Sequence, residues 1–188
     1  MENMFDTICA IATPLSAGSI GIIRISGEKS FEIIEKIFSR KIKPEMINHG
    51  WIIDNKTGQK LDEVIVLPFK NPKSFTGEDV IEIQTHGSPV IIREILNLVL
   101  ENGAKLAQRG EFTKRAFLNH KMDLSQAEAV LDLINAKTSK SASLAANNLS
   151  GTLKNEINNI REDLIEILAK ITASLDFPED VKEIEYPE

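Results

Sequence analysis

Gly110-Glu111-Phe112-Thr113-Lys114-Arg115-Ala116-Phe117-Leu118-Asn119-His120-Lys121-Met122-Asp123-Leu124 is the stretch at which this chain changes character. Before it, short runs rich in Ile and Val alternate with amphipathic segments and Gly/Pro punctuation. After it the apolar period is helical almost to the last residue. Working backwards, Asp6 to Ala12 and Ser19 to Ile25 are β-branched and parted by Pro14 and Gly18, which predicts two strands. Phe31, Ile34, Ile37 and Phe38 recur at helical spacing, predicting a helix from about Glu28. Trp51 to Asp54 and Leu61 to Phe69 form an expected hairpin around the turn Asn55-Lys56-Thr57-Gly58. Val80 to Thr85 is a further strand. Ser88 and Pro89 open a helix that Gly103 stops, and Ala104 to Ala107 is a last short strand.

The expectation for residues 1–118 is therefore an α+β domain with a mixed sheet, and for residues 119–188 the first part of an α-helical bundle. Asp123 with Gln126 three residues on reads as an acidic variant of the capping box, leading into Leu124, Ala127, Leu131 and Ile134. A Ser/Ala-rich helix runs to Ser150 and ends at Gly151. Leu153, Ile157, Ile160, Leu164, Ile167 and Ile171 then alternate four- and three-residue steps, a heptad seam that suits the edge of an antiparallel bundle better than a two-chain coiled coil. Leu175-Asp176-Phe177-Pro178 should end that helix, and an acidic tail follows from Glu179.

Composition narrows the function classes. A net charge of -6 and a pI near 5.2 argue against a large basic footprint on nucleic acid, although local patches stay open. The lone cysteine, Cys9, rules out an internal disulfide and a cysteine zinc cage. It sits in an apolar run with no histidine near it in sequence, which predicts a buried, inert thiol. The first residues lack the apolar run of a signal peptide, so the expected location is cytoplasmic, with no membrane partner.

Three polar blocks carry the candidate chemistry. In Gly21-Ile22-Ile23-Arg24-Ile25-Ser26-Gly27 the period of two puts Arg24 on the face of Ile20 and Ile22, where it meets an anion or snorkels at the sheet edge. In Ser74 to Gly87, Glu82 alternates with Val80 and Gln84 while Ile81 and Ile83 line the opposite face. A carboxylate within a sheet requires donors, either Arg24 or a ligand offering two adjacent N–H groups, as a pterin or guanine does. Glu78 and Asp79 read as a solvated pair or a cap. His86 fits a hydrogen-bonded turn residue better than a general base. In the third block Arg115 and Asn119 form an i, i+4 pair that could face one ligand, with Lys121 reaching from the turn beyond; the alternative is a capped helical turn with solvated charges. Asn119-His120-Lys121-Met122-Asp123 superficially suggests the guanine-reading Asn-Lys-x-Asp, but His120 breaks it and no phosphate-binding Gly-x-x-x-x-Gly-Lys-Ser/Thr loop occurs in the chain. This polypeptide is not expected to be a GTPase by itself.

Taken together, Asp6-Thr7-Ile8 with Ala12-Thr13-Pro14, then GIIRISG, SFTGEDVIEIQTHG, GEFTKRAFLN, KMDLSQAEAV and LDFPED resemble the N-terminal portion of the MnmE (TrmE) family of tRNA modification GTPases. The resemblance implies an aminomethyltransferase-like folate-binding domain that binds 5-formyltetrahydrofolate and forms a homodimer, followed by a helical domain into which a GTPase domain is inserted. It implies that a flavin-dependent partner of the MnmG family completes a heterotetramer. That assembly would modify the wobble uridine of tRNA, with GTP, potassium and magnesium used by the full-length protein. By matching motif, Arg24, Glu82 and Lys121 correspond to the family's folate-contacting positions. The chain departs from the family pattern at Ser19, Ser88, Arg109 and His120, and stops before the GTPase insertion. Two rival readings are a stand-alone folate-dependent aminomethyltransferase and a ligand-free dimerisation module whose Arg24 to Glu82 pair is structural.

Overall fold

The computed structural model describes residues 6–176, and the chain divides into two compact units between Met122 and Asp123. The first unit is built on six strands, β1 (Ile8–Ile11), β2 (Ile20–Ser26), β3 (Asn48–Ile53), β4 (Lys60–Phe69), β5 (Val80–His86) and β6 (Lys105–Leu106), with α1 (Ser30–Ile37), α2 (Pro89–Glu101) and α3 (Glu111–Leu118). The sheet order is β3-β4-β5-β2-β1-β6. Every pairing is antiparallel except that of β1 with β6, so the sheet is mixed as expected. The hairpin of β3 and β4 forms around the predicted turn, with its strands reaching further than expected at their starts.

Strand alternation sorts the sheet into two faces. Ile23 and Ile25 of β2, Ile81 and Ile83 of β5, and Val64 and Val66 of β4 are buried against Ile33, Ile34 and Ile37 of α1 and Ile92 and Ile95 of α2. That face is the core, and burying such side chains contributes about 1.5–3 kcal/mol each. Gly21 lies on it because Ile92 leaves no room for a Cβ there. Cys9 is fully buried in the same cluster, and desolvation pushes its thiol up to about 12, which makes it inert as expected. The other face carries Ile22, Arg24, Glu82, Gln84 and Ile65, all partly or largely accessible. Ser88 holds the cap position of α2 with extended backbone, but its hydroxyl makes no capping bond.

The second unit contains α4 (Leu124–Asn135), α5 (Ser139–Leu149) and α6 (Thr152–Asp176). The capping box at Asp123 forms as read: the Gln126 N–H donates to Asp123 Oδ1 at 2.9 Å, and the Asp123 N–H donates to Gln126 Oε1 at 3.0 Å. Thr138 and Ser141 make a second box at the start of α5. Small residues let α4 and α5 approach, Ala129 and Ala145 being buried. Gln126 Nε2 also donates to the Leu149 carbonyl at 2.9 Å, tying the two helices together. The predicted seam of α6 is helical throughout, yet its six apolar residues are 38–60% exposed, so no described residue covers it. The expected stop at Phe177-Pro178 and the acidic tail lie outside the described residues. Among the described residues no helix is long and apolar enough to cross a membrane.

Candidate functional site

Arg24 and Glu82 stand directly opposite one another in the β2–β5 ladder, on the face away from α1 and α2. Arg24 Nε donates to Glu82 Oε1 at 2.8 Å, and its NH2 lies 2.7 Å from the same oxygen. Of the two donors the sequence left open for Glu82, the internal arginine is in contact with it. Both contacts fall on Oε1; among the described residues Oε2 accepts no hydrogen bond. The side chains keep 26% and 16% of their exposure, so the pair is shielded but reachable.

Two aromatic rings frame this arginine. Its guanidinium carbon lies 5.2 Å from the ring centroid of Phe75, in the loop between β4 and β5, and 5.6 Å from that of Phe112, in the first turn of α3. Both distances suit a cation–π contact. Neither phenylalanine was singled out by sequence. The signal for Phe75 was there, a large apolar residue stranded between Pro72 and Gly77 in a polar loop.

Arg115 corrects the reading of the second and third blocks. It is buried, and its guanidinium turns to carboxylates of the protein. Its NH1 contacts both oxygens of Glu78 at 3.2 and 3.3 Å, and its NH2 and Nε contact Glu111 Oε1 at 2.9 and 3.3 Å. Glu78 Oε2 also accepts the Ser26 hydroxyl at 2.7 Å, and Ser26 shares a further 2.7 Å bond with Thr76. Glu78 is thus no solvated residue, because Arg115 projects inward from α3 and a buried guanidinium requires carboxylates. Asp79 pairs with Lys70 at 2.9 Å and accepts the Asn71 N–H at 3.0 Å.

Asn119 likewise faces protein: its Nδ2 donates to the Thr76 carbonyl at 2.8 Å. Lys121 Nζ donates to the Pro72 carbonyl at 2.9 Å, on the same loop that carries Phe75. Gly77 lies under them with φ +77°, and a Cβ there would stand 3.0 Å from Lys121 Cγ and 3.2 Å from Asn119 Cβ. Of the three predicted positions, then, Arg24 and Glu82 meet directly, while Lys121 fastens the loop whose phenylalanine covers Arg24.

His86 is the hydrogen-bonded turn residue expected. Asp62 accepts its backbone N–H at 2.8 Å and contacts its Nδ1 at 2.7 Å, leaving Nε2 on an exposed ring. His49 and Glu63, 3.6 Å apart, share with His86 the lining of an open cavity of about 300 Å³. Among the described residues no cluster of three or more metal-ligating side chains occurs.

Residues 7–121 match the family described as the N-terminus of the GTP-binding protein TrmE, and residues 124–188 match the MnmE helical domain. Relatives named tRNA modification GTPase MnmE include one from Streptococcus mutans, 53% identical over 190 residues, covering 98% of this chain and 41% of that protein. One from Acetivibrio thermocellus is 52% identical over 185 residues, covering 95% and 40%, and one from Thermotoga petrophila is 48% identical over 179 residues, covering 94% and 39%. The chain spans about 40% of the length of these curated relatives.

Proposed function

The chain belongs to the MnmE (TrmE) family through its N-terminal and helical domains, and from that premise we propose that its sheet unit binds 5-formyltetrahydrofolate at Arg24 and Glu82 and pairs with a second copy. The observation that carries the folate reading is the half-engaged carboxylate of Glu82, reachable on the open sheet face beside two aromatic rings. A reduced pterin offers two adjacent N–H donors, which a carboxylate accepts as it would a guanidinium. The donor set therefore fits the group. Glu82 would accept the pterin edge, Arg24 would turn to a polar or anionic part of the folate, and Lys121, an exposed ammonium with donors beyond the one given to Pro72, would meet its acidic portion.

Folate, when bound, supplies a one-carbon unit. The residues around it bind, orient and shield; the buried Cys9 thiol offers no nucleophile to the site. In the longer protein this arrangement would hold the donor for modification of wobble uridine in tRNA. GTP hydrolysis with potassium and magnesium would belong to the inserted domain, and a flavin-dependent MnmG-type protein would be the partner in a heterotetramer.

One observation favours a second reading: Arg24 already satisfies Glu82 in part, so the pair could serve the sheet alone. Calorimetric titration of the full chain and its Glu82→Gln variant with 5-formyltetrahydrofolate separates the two. Saturable binding that the substitution removes, with folding stability little changed, is the expected result. Absence of binding by the folded chain, together with a large stability loss in the variant, would leave only the structural role.

A further inference from the structure

We infer that Arg115 is a positioning residue for the Arg24–Glu82 site, an inference that rests on the folate reading for its ligand but on geometry for its action. Arg115 is 5% exposed and touches neither Arg24 nor Glu82 among its hydrogen bonds and ion pairs, so its action on that site is indirect. What it touches is the frame. Glu78 lies three residues beyond Phe75 on the loop, and Glu111 is the residue before Phe112 on α3. One guanidinium bridging these two carboxylates joins the backbone segments that carry the two rings over Arg24. Ser26, at the end of the strand bearing Arg24, donates to the same Glu78, so the bridge reaches all three elements.

The planar fork of arginine is needed for this. It presents donors in two directions at fixed angles, whereas a lysine ammonium is a point charge that would serve one carboxylate and release the other. Without the bridge, two carboxylates would face one another in a shielded space and push the loop and helix apart. The loop retains its Lys121 and Asn119 contacts at Pro72 and Thr76, which lie on either side of Phe75, but loses the anchor at Glu78.

The test is a double-mutant cycle on the full chain. Arg115→Lys, Phe75→Leu and the double variant are titrated with 5-formyltetrahydrofolate below the unfolding transition, and amide hydrogen exchange is followed over residues 73–78 with β5 as internal reference. Arg115→Lys is expected to speed exchange in the loop about tenfold relative to β5 and to weaken folate binding about tenfold, with no further weakening in the double variant. Additive losses, or loop exchange that tracks β5, would overturn the inference, since a general loss of stability moves both alike. A wild-type chain that binds no folate would remove the ligand reading alone, and the exchange comparison would then decide whether Arg115 orders the Phe75 loop.

Discussion

Two arginine–carboxylate clusters share the loop between β4 and β5 and the first turn of α3, and they are closed to different degrees. Arg115 has a side-chain exposure of 6% and divides its donors between Glu78 and Glu111, with Ser26 adding another donor to Glu78. Arg24 keeps 26% exposure, meets one oxygen of Glu82, and lies over the rings of Phe75 and Phe112. A buried charge whose partners are saturated is committed to the fold. A half-engaged one beside aromatic rings has capacity for something else.

The comparison breaks most readily at Arg115. Arg115→Met leaves two shielded carboxylates without a counter-charge and is expected to cost about 3–5 kcal/mol of stability in urea denaturation at neutral pH. A loss below about 1 kcal/mol, the range of exposed pairs, would mean that the two clusters are of one kind.

Glu82→Gln should do the opposite. A partly exposed cross-strand pair contributes about 0.2–1 kcal/mol, so stability should change by no more than that. Folate affinity should fall by about 2 kcal/mol, roughly thirtyfold, as a charge-assisted hydrogen bond is lost. Titration and denaturation of one variant read both quantities, and a variant that loses stability but keeps its affinity would place Glu82 with Glu78 among the structural carboxylates.

The difference between the clusters was only half legible in the sequence. Strand alternation set Glu82 opposite the face of Ile81 and Ile83 and offered Arg24 as one of two possible donors to it. That the two stand opposite each other comes from the pairing of β2 with β5, which no local pattern encodes. The α+β order, the hairpin and the Asp123 capping box are local patterns and were readable as such. The partnership of Arg115 with Glu78 spans 37 residues, and no local period encodes it. Helical spacing paired Arg115 with Asn119, but burial turned the first to Glu78 and the second to the Thr76 carbonyl. The α6 seam was legible as a pattern, while what covers it is not encoded within that helix.

A further carboxylate sharpens the scale, because its hydrogen-bond partners belong to the helix it caps. The Asp123 carboxyl is held below its usual range chiefly by the Ser125 hydroxyl, then by the Gln126 N–H, with Lys154 a lesser cause. A depressed folded-state pKa contributes stability that is present above the unfolded value of about 3.9 and is lost as pH falls through the folded one. Asp123→Ala should therefore cost about 1 kcal/mol at neutral pH, and its deficit against wild type should shrink in the acid range below about pH 4. Helical circular dichroism during urea unfolding at both pH values reads this. A deficit that does not change with pH would show that the charge of Asp123 is irrelevant to the cap.

The smallest expected effect concerns the turn after α3. His120 holds a φ of 58° in the turn after α3, a left-handed conformation that a β-carbon disfavours by about 1–2 kcal/mol. The backbone holds the turn in that conformation, the His120 N–H donating to the Phe117 carbonyl at 3.0 Å and the Lys121 N–H to the Ala116 carbonyl at 2.9 Å, so a negative φ would break this closure of α3. Glycine carries no such penalty, although it loses more freedom on folding. His120→Gly should raise stability by about 0.5–1 kcal/mol, measured as a shift of the urea midpoint at constant slope. If stability falls instead, the imidazole contributes more than its backbone costs, and the turn that presents Lys121 belongs with the closed cluster rather than the open one.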